Sequence, residues 1–260
     1  MEQTDSFRRV FPESILARYA FAEVRNAASA IAGTNPKEFG DILSVLDNFW
    51  LTLASLTDPG KNKGVIAKTL DAAFRQKGWR EAGHDSETTF TLRLQPYAEG
   101  GEKKAEVRTY KFETHGHKVD NVHGRVALDV EWNAKDGNLD RDLANFRALH
   151  EAAVIDAAVM VTRHQERTKY AANYLAEKGN VIRYNAKGAR KILLATTTTT
   201  NLEKLIPRLE VGNAGGCPIL AVALTELCYK AGPDDPALPP FKGPLELKGV
   251  PDTDDIEEDE

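Results

Sequence analysis

The chain has 260 residues, with 42% hydrophobic and 28% charged side chains, enough to bury a real core and ordinary for a globular protein. It holds no run of about 18 apolar residues, which excludes an apolar membrane-spanning helix. The formal net charge of −5 argues at first against nucleic acid as a partner, but the last ten residues, "PDTDDIEEDE", hold seven acidic side chains and no basic one, so the rest of the chain is +2.

The start, "MEQTDSFRRVFPES", lacks the apolar core of a signal segment. Cys217 and Cys228 form no metal or redox spacing, so a reducing, cytoplasmic setting without membrane attachment is expected. Residues 8–32 carry apolar side chains near helical spacing (Ile15, Leu16, Tyr19, Phe21, Val24), which predicts a helix broken by "GTNP". A more apolar helix is expected over 37–57, a loop at "DPGKNKG", and a third helix over 65–77 that stops at Gly78. "TTFTLRLQP" and "EVRTYKFET" alternate and read as a hairpin with a longish turn. "HGHKVDNVHGRVALDVEW" reads as two short strands around the turn residues Asn121 and Gly124. Helices at 138–153 and 165–178 then alternate with strands at "DAAVMVTR", "KILLATT" and "CPILAVALTEL", and "NLEKLIPRL" is a further helix. Residues 231–260, Pro-rich and then acidic, read as a mostly disordered tail. This order predicts one α/β domain with a mixed central sheet and an N-terminal helical layer.

Chemistry concentrates in "GRVALDVEW". Side chains alternate across a strand, so Val126, Leu128, Val130 and Trp132 share an apolar face while Arg125, Ala127, Asp129 and Glu131 share the other. The two carboxylates lie about 6–7 Å apart along such a strand, from two rises of about 3.3 Å. Like charges that close repel unless something positive lies between them. Asp120, nine residues before Asp129, supplies a third oxygen donor if the chain folds back, and Mg²⁺ prefers such an oxygen environment. The plain structural alternative is a half-exposed strand face on which Arg125 pairs with Asp129.

"VDNVHGRVALDVEWNAKDG" resembles the active-site hairpin of type II restriction endonucleases of the BglII and BstYI kind, in the PD-(D/E)XK nuclease superfamily. "VIAKTLDAAFRQKGWRE", "NLDRDLANFRALHEAAVIDAAVMVT" and "GNAGGCPILAVALT" resemble other parts of that family in the same order, so the similarity spans roughly residues 60–228. The resemblance implies a restriction-endonuclease-like core: a mixed central sheet flanked by helices, in one domain over 1–230. Its helical part is 1–78 and its catalytic sheet core 79–230. It implies Mg²⁺, with Mn²⁺ able to substitute, and hydrolysis of double-stranded DNA by a homodimer accompanied by a cognate DNA methyltransferase. By position, Asp120 matches the first metal-binding Asp, Asp129 the second acidic residue (usually Glu), and Glu131 a position usually held by Gln; the Val130 carbonyl joins the metal ligands. Asp129 is thus one methylene shorter than the family residue, and Glu131 adds a charge, as in the related BamHI type. No Lys is left to stabilise the attacking hydroxide. A nuclease without sequence preference, or a DNA- or partner-binding protein that has lost catalysis, would keep the same fold.

For DNA contacts, the residues from Arg163 to Lys191 include eight Lys or Arg against Glu166 and Glu177. Lys187, Arg190 and Lys191 cluster around Gly188, Lys135 follows the acidic strand, and Thr198 lies in the run Thr196–Thr200. Asn213 lies in "GNAGG", where glycines allow close approach to a groove. His115, His117 and His123 suggest zinc, but without cysteine partners a solvent-exposed hairpin accounts for them equally.

Overall fold

The computed structural model describes residues 1–57, 64–195, 198–243 and 250–251. The chain opens with strand β1 (Gln3–Thr4) and the short helices α1 (Phe7–Val10) and α2 (Glu13–Leu16), then enters strand β2 (Tyr19–Val24). Helices α3 (Ala27–Thr34) and α4 (Pro36–Asn48) follow, the latter with proline in its first turn, where no amide partner is lost. Helix α5 (Leu53–Thr57) precedes α6 (Val65–Gln76), which buries Ile66, Leu70 and Phe74 at helical spacing and ends before Gly78, at φ +97°. Strand β3 (Arg80–Ala82) leads to a long hairpin of β4 (Asp85–Leu94) and β5 (Glu106–His115), and then to β6 (Val119–His123) and β7 (Val126–Val130). Helix α7 (Gly137–Glu151), strand β8 (Ala157–Arg163), helix α8 (Gln165–Lys178), strand β9 (Lys191–Ile192) and helix α9 (Leu202–Glu210) come next. Strand β10 (Ile219–Leu224) and the short β11 (Val250–Pro251) complete the order.

The central sheet has the strand order β1-β2-β10-β8-β7-β6-β3. β10, β8 and β7 run parallel, and the flanking strands pair antiparallel, so the sheet is mixed and flanked by helices, as expected. Buried on both faces, the parallel strands are near-continuous apolar runs, broken by Asp129 in β7 and by Thr162 and Arg163 at the end of β8. On one face Val126, Leu128, Val130, Val159, Val161, Leu220 and Val222 pack with the N-terminal helices and α8. On the other, the smaller Ala127, Ala158, Ala221 and Ala223 pack with Leu139, Leu143 and Phe146 of α7 and Leu205 of α9. Leu128 is fully buried. Leu128→Ala is expected to cost about 2–5 kcal/mol, measured as a fall in the denaturation midpoint with unchanged slope.

Several local expectations give way. The helix over 8–32 is interrupted by β2, which pairs antiparallel with β10 from Tyr19↔Leu224 to Val24↔Ile219. Left-handed backbone at Arg25 and Asn26 then turns the chain into α3. The helix over 37–57 breaks at Phe49–Leu51, where Leu51 exchanges backbone hydrogen bonds with Cys228 and Lys230. Asn121 lies inside β6 rather than in a turn, and its amide donates to Asp71 Oδ1 at 2.8 Å. Of "KILLATT", only Lys191 and Ile192 are strand, while Thr196 and Thr197 lie outside the described residues, as does most of "DPGKNKG". Beyond residue 231, Leu238 packs on the core, the Tyr170 hydroxyl donates to Pro239 O at 3.0 Å, and the Phe241 ring meets Tyr170. Among the described residues no helix is long and apolar enough to cross a membrane.

Candidate active site

The hairpin β6–β7 turns through two residues, Gly124 and Arg125, between the paired His123 and Val126. Gly124 has φ +51°, the left-handed value such tight hairpins demand, and a Cβ there would collide with the Glu38 carboxylate. Pairing continues to Asn121↔Leu128. Beyond that pair the acidic side chains take over the backbone groups. Asp120 N donates to Asp129 Oδ1 at 2.6 Å, and Val130 N donates to Asp120 Oδ2 at 3.4 Å. The chain does fold back here, and this brings Asp120 to Asp129.

Asp129 and Glu131 project to the side of the sheet covered by α7, opposite the apolar Val126, Leu128, Val130 and Trp132. They are 3% and 7% exposed, much deeper than a half-exposed strand face would place them. The Glu131 backbone is fixed on both sides. Its N–H donates to Val161 O at 2.8 Å, and its carbonyl accepts from the hydroxyls of Thr162 at 2.7 Å and Thr200 at 3.1 Å. Arg125 does not neutralise Asp129; it makes two hydrogen bonds to Asp156 Oδ1, at 2.9 and 2.7 Å.

A fourth carboxylate, Asp142 of α7, joins the group at 1% exposure, close enough to Glu131 for each to act on the other's charge. It was legible in principle: Leu139, Asp142, Leu143 and Phe146 form the i, i+3, i+4, i+7 stripe that a helix buries, and a charge on that stripe calls for a reason. Arg141 Nε donates to Asp142 Oδ1 at 3.0 Å and is the cation nearest the cluster in the sequence. Burial, then the charge of Asp142, holds the Asp129 carboxyl well above the usual carboxylate range. Burial, then Asp142 and Asp129, does the same to Glu131, and burial also raises Asp142 against the pull of Arg141. Asp129 Oδ2, Glu131 Oε2 and Asp142 Oδ2 are buried and receive no hydrogen bond. As they stand, no three acidic, His or Cys side chains among the described residues are arranged to hold a metal ion. The donor set nevertheless fits a hard cation in kind: buried carboxylate oxygens without proton donors.

The three histidines go to separate partners. His115 meets Asp85 at 2.7 Å, the backbone of His117 is clamped by Asn145, and His123 meets Glu38 at 2.8 Å at the turn end of the hairpin. The expected DNA-contact residues fall into three places. Lys135 and Thr198 are exposed beside the exit of β7, where Lys135 bridges Thr199 and Asp136 N donates to Thr198 O. Lys187, Arg190 and Lys191 lie together in the segment after α8, with Lys187 exposed and Arg190 bonded to Glu177 at 2.9 Å. Asn213 follows α9, and its amide donates to Asp140 at 3.1 Å. Within the basic stretch, Arg163 is fully buried and Arg167 is paired to Glu226 through two hydrogen bonds, so it does not present one continuous cationic surface.

A family model described as restriction endonuclease BglII/BglIII matches residues 19–224, which contain the whole sheet from β2 to β10 and all four carboxylates. No curated protein matches the chain.

Proposed function

The chain belongs to the BglII/BglIII restriction endonuclease family, a nuclease family whose substrate is DNA, and from that premise we propose a type II enzyme. It hydrolyses phosphodiester bonds in double-stranded DNA at a specific sequence, requires Mg²⁺ (Mn²⁺ substituting), and leaves 5′-phosphate ends. The observation that carries this reading is the cluster of four acidic side chains at the opened end of the β6–β7 hairpin, with three carboxylate oxygens buried and lacking donors.

Asp120, Asp129, Glu131 and the Val130 carbonyl would hold the cation. When bound, it supplies a water of lowered pKa and neutralises phosphate charge. The protein's own part is positional. Asp120 and Asp129 fix each other through the backbone amides of the hairpin. Glu131 has a backbone anchored by two threonines, and its carboxyl can take up a proton, as its raised pKa requires. In-line attack of water on phosphorus then breaks the P–O3′ bond, leaving the phosphate on the 5′ end. Arg141 is the nearest candidate for the positive charge that a lysine would otherwise bring.

Exposed Lys135 and Thr198 beside Glu131 suit the scissile strand, while Lys187, Arg190, Lys191 and Asn213 suit flanking backbone contacts. Arg190 would then exchange Glu177 for phosphate. Cutting both strands of a palindrome calls for a homodimer with two-fold symmetry. A sequence-specific nuclease also requires a cognate DNA methyltransferase to shield the DNA of its own cell.

Digestion of a plasmid of known sequence with Mg²⁺, followed by run-off sequencing of the ends, tests the proposal. Discrete bands with 5′-phosphates, abolished by a chelator, are expected. A smear would replace it with a nuclease lacking sequence preference. Binding without cleavage would replace it with an inactive DNA-binding protein.

A further inference from the structure

The β4–β5 hairpin stands apart from the central sheet as its own two-stranded sheet. Every residue of β5, and every residue of β4 but Thr88, is exposed. Its register divides it into two unlike faces. Thr88↔Phe112, Phe90↔Tyr110, Leu92↔Arg108 and Leu94↔Glu106 share one face, while Glu87↔Glu113, Thr89↔Lys111 and Thr91↔Thr109 share the other. The first face is apolar. Phe90, Leu92, Leu94, Tyr110 and Phe112 are 62, 47, 38, 53 and 50% exposed, and the rings of Phe90 and Phe112 stack at 6.3 Å. This is the alternation of a strand with one buried face, displayed where none of the described residues buries it.

We propose that this apolar face is the surface through which two copies of the chain join. The inference rests on the homodimer reading above and assigns its contact. The exposed parts of these five side chains amount to roughly 500 Å², near the upper end for the largest patch on a monomer. Two such faces together bury about 1,000 Å², the lower limit of a specific interface, and a two-fold contact supplies equal area from each side. Charge allows self-association and disfavours DNA. The ions on this face, Arg108 and Glu106, neutralise each other at 2.7 Å, leaving neither like-charge repulsion between copies nor a spare cation for phosphate. An isolated two-stranded ribbon is marginal in water, so its cover must always be at hand, as another copy of the same chain is. The arm also reaches the acidic hairpin directly. Gly116 N donates to His84 O at its base, and Asn145 clamps His117, three residues before Asp120.

Sedimentation of the full chain, wild type against the double variant Phe90→Ser/Phe112→Ser, tests this. The wild type is expected as a dimer and the variant as a monomer with unchanged circular dichroism, its dimer affinity at least about 100-fold weaker. Tyr110→Cys is expected to yield a disulfide-linked dimer on oxidation. Thr89→Cys, on the polar face, is expected to yield none; the native Cys217 and Cys228 are buried. A monomeric wild type at about 100 μM would overturn both the dimer reading and this surface. A wild type and variant that are equally dimeric would overturn the surface alone. A variant that stays dimeric but no longer binds DNA would reassign the face to nucleic acid.

Discussion

Asp129→Asn is expected to lower Mg²⁺-dependent cleavage by at least about 10³-fold while the protein stays folded, and Asp120→Asn to do the same. The change keeps the shape of the side chain. An asparagine carbonyl at position 129 can still accept from Asp120 N, and one at position 120 from Val130 N, so the bonds that close the hairpin survive. What is lost is negative charge at the position where a cation must be held. Metal-ion stabilisation of a phosphoryl transition state is worth several kcal/mol, and about 4 kcal/mol corresponds to three decades in rate. Arg125→Ala is the control. Its guanidinium is spent on Asp156 and Ala153 O at the far end of β7, so its removal should leave the rate within a few-fold. Initial rates on supercoiled plasmid, with melting curves recorded in parallel, decide the matter. Full cleavage by either Asn variant would remove these carboxylates from the chemistry.

The second large effect is on stability. In chelator, the melting temperature is expected to fall as pH rises from about 5 to 8. The folded protein holds protons on Asp129, Glu131 and Asp142 more tightly than the unfolded chain does, chiefly because burial penalises their charged forms. Groups raised in this way contribute stability in full below the ordinary carboxylate range, near pH 4, and lose it as pH climbs through their elevated values. Each kcal/mol lost lowers the transition by about 2–4 °C in a domain of this size. Asp140 and Asp156 slope the other way, since Arg208 and Arg125 hold their carboxyls low, but their contribution disappears below the ordinary range, in a separate window. Glu131→Gln should flatten the fall between pH 5 and 8, and so should added Mg²⁺, which favours the ionised forms. A metal-free melting temperature that is level or rising across that interval in the wild type would contradict the burial described for these groups. Asp129→Asn should therefore be more stable than the wild type in chelator while losing cleavage, a trade of stability for function.

The acidic strand was readable because strand parity leaves no choice. Once Val126, Leu128 and Val130 face the core, Asp129 and Glu131 must face the other way together. The β4–β5 hairpin and the strands β8 and β10 were readable for the same reason, through alternation or unbroken apolar runs. β2 was not. Tyr19 to Val24 fit a helical stripe as well as a strand, and the partner that decides between them, Ile219 to Leu224, lies some two hundred residues on. Asp142 was hidden because the expectation of a helix over 138–153 does not by itself place Asp142 on the stripe that the helix buries. The choice of Arg125 between Asp129 and Asp156 depends on how the turn aims its side chain, which spacing along the chain does not encode.

The Gly124–Arg125 turn acts as a length gauge for the chemistry at the opposite end of its hairpin. β7 is locked to β8 from Val126↔Ala157 to Val130↔Val161, so an inserted residue that is not taken up by a longer turn slides β6. Such a slide would send Asp120 to the opposite side of the sheet from Asp129. Loop-length drift that shifts the register is therefore closed to this connection, and Glu38 packed over Gly124 narrows even the single-residue alternatives.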